Sequence, residues 1–292
     1  MKKFTDIKNG RFYLGDCLEV MKEIPDGVID LTVTSPPYDD LRTYNGYSFD
    51  FENIAKELYR ITSEGGVVVW VVADATKNGS ETGTSFRQAL YFMECGFKLH
   101  DTMIWDKMTN ARPSSNRYAN VFEYMFIFSK NTPKTVNLIK DKRNKRGGKE
   151  TTVTIRKPNG EMTNSKRVKI AEFGSRNNIW QIPSKMTRSE NWHPAPFSEE
   201  LARDHILSWS KEGDIVFDPF GGSGTTATMA QDLNRKWVTC EISEEYANKA
   251  VERILNHTPE VKPEPTIQID DNIPIPEGEE DGNEAVDKVL SK

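Results

Sequence analysis

The chain has 292 residues, with 39 Lys and Arg against 44 Asp and Glu and a formal net charge of −5. This length suits one α/β domain with an inserted or appended module; no run of about 18 apolar residues predicts a membrane span, and the start, MKKFTDIKNGR, has no apolar stretch to serve as a signal peptide. Cys17, Cys95 and Cys240 share no CxxC spacing and the four histidines are dispersed, so no disulfide framework and no metal centre is expected, and the expected compartment is the cytoplasm.

Arg11–Leu14 reads as a strand end before Gly15-Asp16, and Leu18–Glu23 as a helical turn. Val28–Val33 reads as a second strand running into Ser35-Pro36-Pro37-Tyr38. Phe51, Ile54, Ala55, Leu58 and Ile61 fall at helical spacing, and Gly65-Gly66 separates that helix from a buried-type strand at Val67–Val72. A helix over Thr84–Cys95 and strands at Lys98–Trp105 and Val121–Phe128 follow. Strands alternating with helices predict a doubly wound, mostly parallel sheet.

Regularity is then expected to stop. Lys140–Lys149 reads KDKRNKRGGK and opens a basic, turn-rich stretch that lasts to Arg176. Order resumes at Asn177–Pro183, and Ser198 is the expected N-cap of a helix to Trp209, with Glu199 and Glu200 in its first turn. Ile215–Phe217 and Trp237–Cys240 read as strands, Ser223–Asp232 and Glu244–Leu255 as helices. Beyond His257, five prolines and an excess of acids predict a disordered tail.

Charge is divided unevenly along this plan. Between Ala111 and Glu190 there are 18 basic and 6 acidic residues, whereas Thr258–Lys292 holds 3 basic and 10 acidic ones. Such asymmetry predicts one surface built for a polyanion. Lys140, Lys142, Arg143, Lys145, Arg146 and Lys149, with Lys166 and Arg167, are the candidate phosphate contacts. The glycines beside the first six, Gly147-Gly148, are expected to leave that loop too flexible to read bases. A solvated loop is the plain alternative.

Two segments carry chemistry. Asp218-Pro219-Phe220-Gly221-Gly222-Ser223-Gly224-Thr225-Thr226 lies between a strand and a helix, where glycines let backbone approach a ligand. No GxxxxGK[ST] is present, and Asp218 would repel phosphate. Glu241 closes the next strand, where a carboxylate takes ribose hydroxyls. A nucleoside with a positive centre and no phosphate suits both acids, which is the character of S-adenosylmethionine. Gly221–Gly224 alone would be a plain tight turn.

The second segment is Thr34-Ser35-Pro36-Pro37-Tyr38. Consecutive prolines fix the backbone and leave carbonyls without competing amides. A rigid carbonyl beside a side-chain oxygen can accept both hydrogens of an amino group, and the Tyr38 ring can stack on a base. An exocyclic amine has its lone pair delocalised into the ring, and two acceptors would localise it for attack. Alone, Ser-Pro-Pro-Tyr is an ordinary turn fragment.

Together these segments resemble the beta-class amino-group DNA methyltransferases, in which the catalytic half precedes the target-recognition region and the cofactor half follows it. The resemblance covers roughly residues 11–130 and 178–256. It implies a doubly wound, mostly parallel, seven-stranded-type methyltransferase sheet, circularly permuted, with an inserted target-recognition region. Ser35, Pro36, Pro37 and Tyr38 are the implied catalytic residues. Asp16 with Cys17 is implied at the cofactor adenine, and Glu241 with Ile242 at its ribose. His193 and Phe197, from HPAPFSEEL, and the loop Asp218–Thr225 are implied around the methionine end.

The implied cofactor is S-adenosyl-L-methionine, the substrate double-stranded DNA with its target base flipped from the stack, and no membrane is involved. A cognate restriction endonuclease and a homodimer are further partners this reading admits. Methylation at carbon 5 of cytosine would need a Pro-Cys nucleophile, and the chain has none. Ser35 leans the choice toward cytosine N4, with adenine N6 open. An RNA or protein-amide methyltransferase and a catalytically silent DNA-binding module are the alternatives of other classes. The expected division is 1–109 for the catalytic half and 110–190 for DNA recognition, with a returning core strand near 120–130. Residues 191–257 form the cofactor half and 258–292 the tail.

Overall fold

The computed structural model describes residues 3–37, 49–109, 112–113, 115–154, 156, 159–162, 166–184 and 198–259. Two compact units are present, the smaller spanning Asn137–Asn177. The chain begins with β1 (Lys3–Ile7), β2 (Gly10–Leu14), α1 (Cys17–Met21), β3 (Ile29–Thr34), α2 (Phe51–Ile61) and β4 (Thr62–Val72). A small hairpin, β5 (Thr76–Lys77) and β6 (Ser80–Glu81), leads to α3 (Thr84–Glu94), β7 (Lys98–Asp106) and β8 (Phe122–Ser129). The smaller unit holds β9 (Lys142–Arg143), β10 (Glu150–Val153), β11 (Lys166–Lys169) and β12 (Phe173–Gly174). The larger unit resumes with β13 (Ile179–Gln181), α4 (Glu199–Trp209), β14 (Ile215–Asp218), α5 (Thr225–Asp232), β15 (Lys236–Glu241) and α6 (Glu244–Asn256).

Among the described residues nine strands form one sheet in the order β1-β2-β15-β14-β3-β4-β8-β7-β13. From β2 to β4 all neighbours are parallel. β8 runs antiparallel between β4 and β7, and β13 lies parallel to β7. The seven expected strands are therefore there, with β1 and β13 added at the edges. Helices cover the sheet: Ile54, Leu58 and Ile61 on one face of α2 join Trp70, Phe92, Phe128 and Phe217 in a common core. Trp70 meets Phe92 edge-on at 5.0 Å, and Phe92 stacks on Phe128 at 4.7 Å.

Most boundaries lie within a residue or two of the sequence reading, and two of the differences have a clear physical cause. β4 starts at Thr62, so Gly65 and Gly66 lie inside it, where its register with β3 shifts between Ile29 and Leu31. Gly65 has φ +70°, and a Cβ on Gly66 would lie 2.7 Å from Thr62 Cγ2. The glycines thus permit a bulge rather than end an element. α5 starts two residues later than expected because Gly224, at φ +80°, caps it in the left-handed region.

Described parts of the basic segment form strands, which corrects the expected loss of regularity. β10 pairs with β11 and β9 with β12, each pair antiparallel. Gly147-Gly148 is not a flexible joint. The Gly147 amide donates to Asn144 O at 3.0 Å and that of Gly148 to Ile170 O at 2.9 Å. A Cβ on Gly147 would lie 2.9 Å from Glu172 Cα. Asp141 and Arg176 form an ion pair within the same unit.

Candidate active site

β3 and β14 are sheet neighbours whose connections diverge, β3 leading through α2 to β4 and β14 through α5 to β15. Ligands of doubly wound sheets bind outside the carboxyl ends of strands at such a switch point. Both chemically suggestive segments end there. Ser35-Pro36-Pro37 leaves β3, with Pro36 buried, and Asp218 closes β14.

The two sides are bonded directly. Thr34 Oγ1 donates to Asp218 Oδ1 at 2.7 Å, and Thr226 Oγ1 donates to Val33 O at 3.2 Å. Asp218 Oδ1 also accepts the Phe220 amide at 3.0 Å. Asp218 is only 7% exposed, and burial pushes its carboxyl up, opposed by the bonds from Thr34, Phe220 and Thr226. This carboxylate braces the loop and the strand before Ser35.

Glycines of the loop also serve the protein itself. A Cβ on Gly221 would lie 2.5 Å from Thr239 Oγ1, and the Gly221 amide donates to Cys240 O at 2.7 Å. A Cβ on Gly224 would lie 2.9 Å from Ile254 Cδ1. Close packing on β15 and α6 therefore demands these two positions. Phe220 leaves the loop for the core, 5.7 Å from the Phe49 ring and edge-on to Trp70.

Glu241 stands half-buried at the end of β15. Its Oε2 accepts the Gly222 amide at 3.0 Å and its Oε1 the Ser243 amide at 2.9 Å. Burial pushes this carboxyl up, eased by both amides. Beside it, the Gly15 amide donates to Glu241 O at 2.9 Å, and a Cβ on Gly15 would meet nothing within 4 Å. Asp16, next in the chain, caps α1 through Oδ1, which accepts the amides of Leu18 and Glu19. Asp16 and Glu241 thus stand at the adjacent ends of β2 and β15, with an opening beside Gly15. The thiol of Cys17 is pushed up to about 12 by burial and by the charge of Asp16, and it packs in the core with Val20 and Met21. Ile242 follows Glu241, half-buried.

Sequence reading named Thr34 and Thr226 within their segments without giving them a bonding role, and it missed Arg253. From α6, Arg253 donates to Ser223 O at 2.8 Å and Thr225 Oγ1 at 3.1 Å, and with Nη2 to Glu199 Oε1 at 2.7 Å. It joins the loop to the first turn of α4. Tyr38, His193 and Phe197 lie outside the described residues. The candidate phosphate contacts Lys142, Arg143, Lys145, Arg146, Lys149 and Arg167 are exposed, and Lys140 is half-buried. Among the described residues no helix is long and apolar enough to cross a membrane.

Comparison with known proteins fits this geometry. Residues 29–252 match the DNA methylase family of N6/N4 methyltransferases. The orphan methyltransferase M.BamHII of Bacillus amyloliquefaciens is 60% identical over 246 residues, which cover 81% of this chain and 93% of that protein. PvuII DNA methyltransferase (cytosine-N4-specific) has the same fold, with TM-score 0.63 and 20% identity over 97% of this chain and 92% of its own. So does TTHA0409 of Thermus thermophilus, solved with S-adenosyl-L-methionine, with TM-score 0.57 and 23% identity over 85% and 95%. The family match runs from β3 into α6, through both sides of the crevice, and the chain belongs to the DNA methylase family of amino-group (N6-adenine or N4-cytosine) methyltransferases.

Proposed function

We propose that this enzyme takes its methyl group from S-adenosyl-L-methionine and places it on the N4 amino nitrogen of a flipped cytosine within a short duplex site, working in the cytoplasm. The juxtaposition of Ser35-Pro36 with the Asp218 loop, through the Thr34–Asp218 bond, carries this reading. The mouth beside Gly15 fits the cofactor. It offers two carboxylates, Asp16 and Glu241, beside open space, an acceptor set for nucleoside hydroxyl and amino hydrogens, and it lacks the lysine of a phosphate loop. When bound, the cofactor supplies a methyl group on a positive sulfur.

The protein's own part is acceptance and orientation. Pro36 O and the Ser35 hydroxyl accept the two amino hydrogens, which pulls the nitrogen toward tetrahedral geometry and localises its lone pair. The pair of prolines keeps that carbonyl from turning away. Tyr38 stacks on the extruded base. Glu241 takes the ribose hydroxyls and Asp16 the adenine.

Incubation with tritium-labelled cofactor and, in parallel, DNA, RNA and protein tests this, followed by nucleoside mass spectrometry. Label in DNA as N4-methylcytosine is expected. N6-methyladenine would move the target to adenine, and label confined to RNA or protein would overturn the substrate.

A further inference from the structure

Within the unit Asn137–Asn177, β10 and β11 make a two-stranded ribbon in which Glu150 pairs with Lys169, Thr151 with Val168, Thr152 with Arg167 and Val153 with Lys166. Arg156 bridges Met162 beyond it, so the antiparallel pairing is carried outward past the ribbon, and residues 149–169 hold six basic residues against two acidic ones. Paired residues share a face of a ribbon, and successive residues alternate between faces. Glu150, Thr152, Arg167 and Lys169 therefore lie on one face, and Thr151, Val153 and Val168 on the other. The first is exposed at every position and carries the charged and hydroxyl groups; on the second Val153 and Val168 are exposed but apolar, and Thr151 is half-buried.

A two-stranded ribbon alone is marginal in water. This one is tied at its base, where Gly148 N donates to Ile170 O and Ile170 N to Lys149 O, both at 2.9 Å. The result is a braced, positively charged finger with a hydrogen-bonding face. The major groove of duplex DNA, roughly 12 Å wide, admits a two-stranded ribbon, and its phosphate walls complement the charge.

We propose that β10–β11 is the element that reads the recognition sequence, entering the major groove with Thr152 and Arg167 toward base edges; this rests on the DNA reading above. The Arg167 guanidinium presents two parallel donors, the match for O6 and N7 of guanine, and the Thr152 hydroxyl beside it serves an adjoining edge. Exposed Arg143, Lys145 and Arg146, outside the ribbon, hold phosphates and orient the unit without reading.

The test begins by sequencing DNA methylated by the wild-type enzyme, which defines the site. Arg167→Ala and Thr152→Ala are then assayed on that site and on duplexes altered one base pair at a time. Arg167→Ala should lose discrimination at one base pair by about 10- to 100-fold. Affinity for unrelated duplex and for cofactor should hold, and Arg167→Lys should not restore discrimination, since a point charge lacks the fork. Val168→Thr, on the other face, should leave the site unaltered. Equal weakening on every duplex would make Arg167 a phosphate contact and overturn the proposal, as would no change, or a site shift from Val168→Thr alone. Should Arg167→Ala fail to fold by circular dichroism, Thr152→Ala decides alone, and unchanged specificity there overturns it. A wild-type enzyme that labels no DNA would instead sink the underlying function.

Discussion

Thr34 and Asp218, 184 residues apart in the chain, are joined by a 2.7 Å hydrogen bond across the boundary between β3 and β14. Ser35 is the next residue after Thr34, so the loop after β14 sets the position of the segment proposed as catalytic. Asp218→Ala would strip the acceptor from the Thr34 hydroxyl and the Phe220 amide. Each stranded donor costs about 1–3 kcal/mol. A lower urea midpoint and a large loss of turnover are expected, while Asp218→Asn, which keeps an acceptor oxygen, should retain more of both. An unchanged midpoint in the alanine variant would remove the bracing role.

For Glu241, acidity should act in opposite directions on the free and loaded protein. Burial raises its carboxyl above the ordinary 4.5. The folded chain then holds a proton more readily than the unfolded one, so this group's stability contribution is full at low pH. It fades as pH rises through the raised value. Cofactor hydroxyls instead require the ionised acceptor, so affinity should begin to fall on acidification while the pH is still above 4.5. Calorimetric titration from about pH 8 to 5 reads this. Glu241→Gln should bind more weakly and lose the pH dependence; a wild-type affinity in Glu241→Gln would dismiss the ribose role.

Arg253 should govern the cofactor more than the chemistry. Its bonds end on Ser223, Thr225 and Glu199, all around the loop and the first turn of α4. Arg253→Ala should raise KM for the cofactor well beyond its effect on kcat, and cost about 1.5–3 kcal/mol of stability from lost charge-assisted bonds. Lysine, able to reach one partner, should rescue in part. A drop in kcat at unchanged KM would place its action elsewhere.

Replacing exposed Arg143, Lys145 and Arg146 with glutamine should weaken binding to specific and unrelated duplexes alike. The slope of log affinity against log salt should flatten by about 0.9 for each phosphate that is no longer neutralised. Fluorescence anisotropy at several salt concentrations measures this. An unaltered slope would put these side chains off the DNA.

Much of this was legible in the sequence where local pattern dominates. α2 occupies Phe51–Ile61 as its apolar spacing dictates, and Ser198 caps α4 by accepting the Leu201 amide. β9 and β12, two residues each, are too short to carry periodicity, and β10–β11 is exposed on one whole face, so no apolar alternation marked it. Asp218 and Glu241 stood out as acids at strand ends. Which of them faces inward depends on the pairing of β14 with β3, a long-range fact with no local trace. The glycines of the loop were noticed for a ligand's sake, while Gly221 and Gly224 answer first to β15 and α6.

The strand order also bears on how the chain is made. β2 takes β15 as its parallel partner and β3 takes β14, so the two pairings that close the middle of the sheet join strands to partners synthesised long after them. A nascent chain that has emerged only through β13 holds β3 with one bare hydrogen-bonding edge and β2 with only its hairpin neighbour β1. Contacts this distant in sequence slow folding and keep apolar strand faces in water meanwhile. The crevice between β3 and β14 thus forms only once β14 and β15 have been made, in the same step that shields those edges from aggregation.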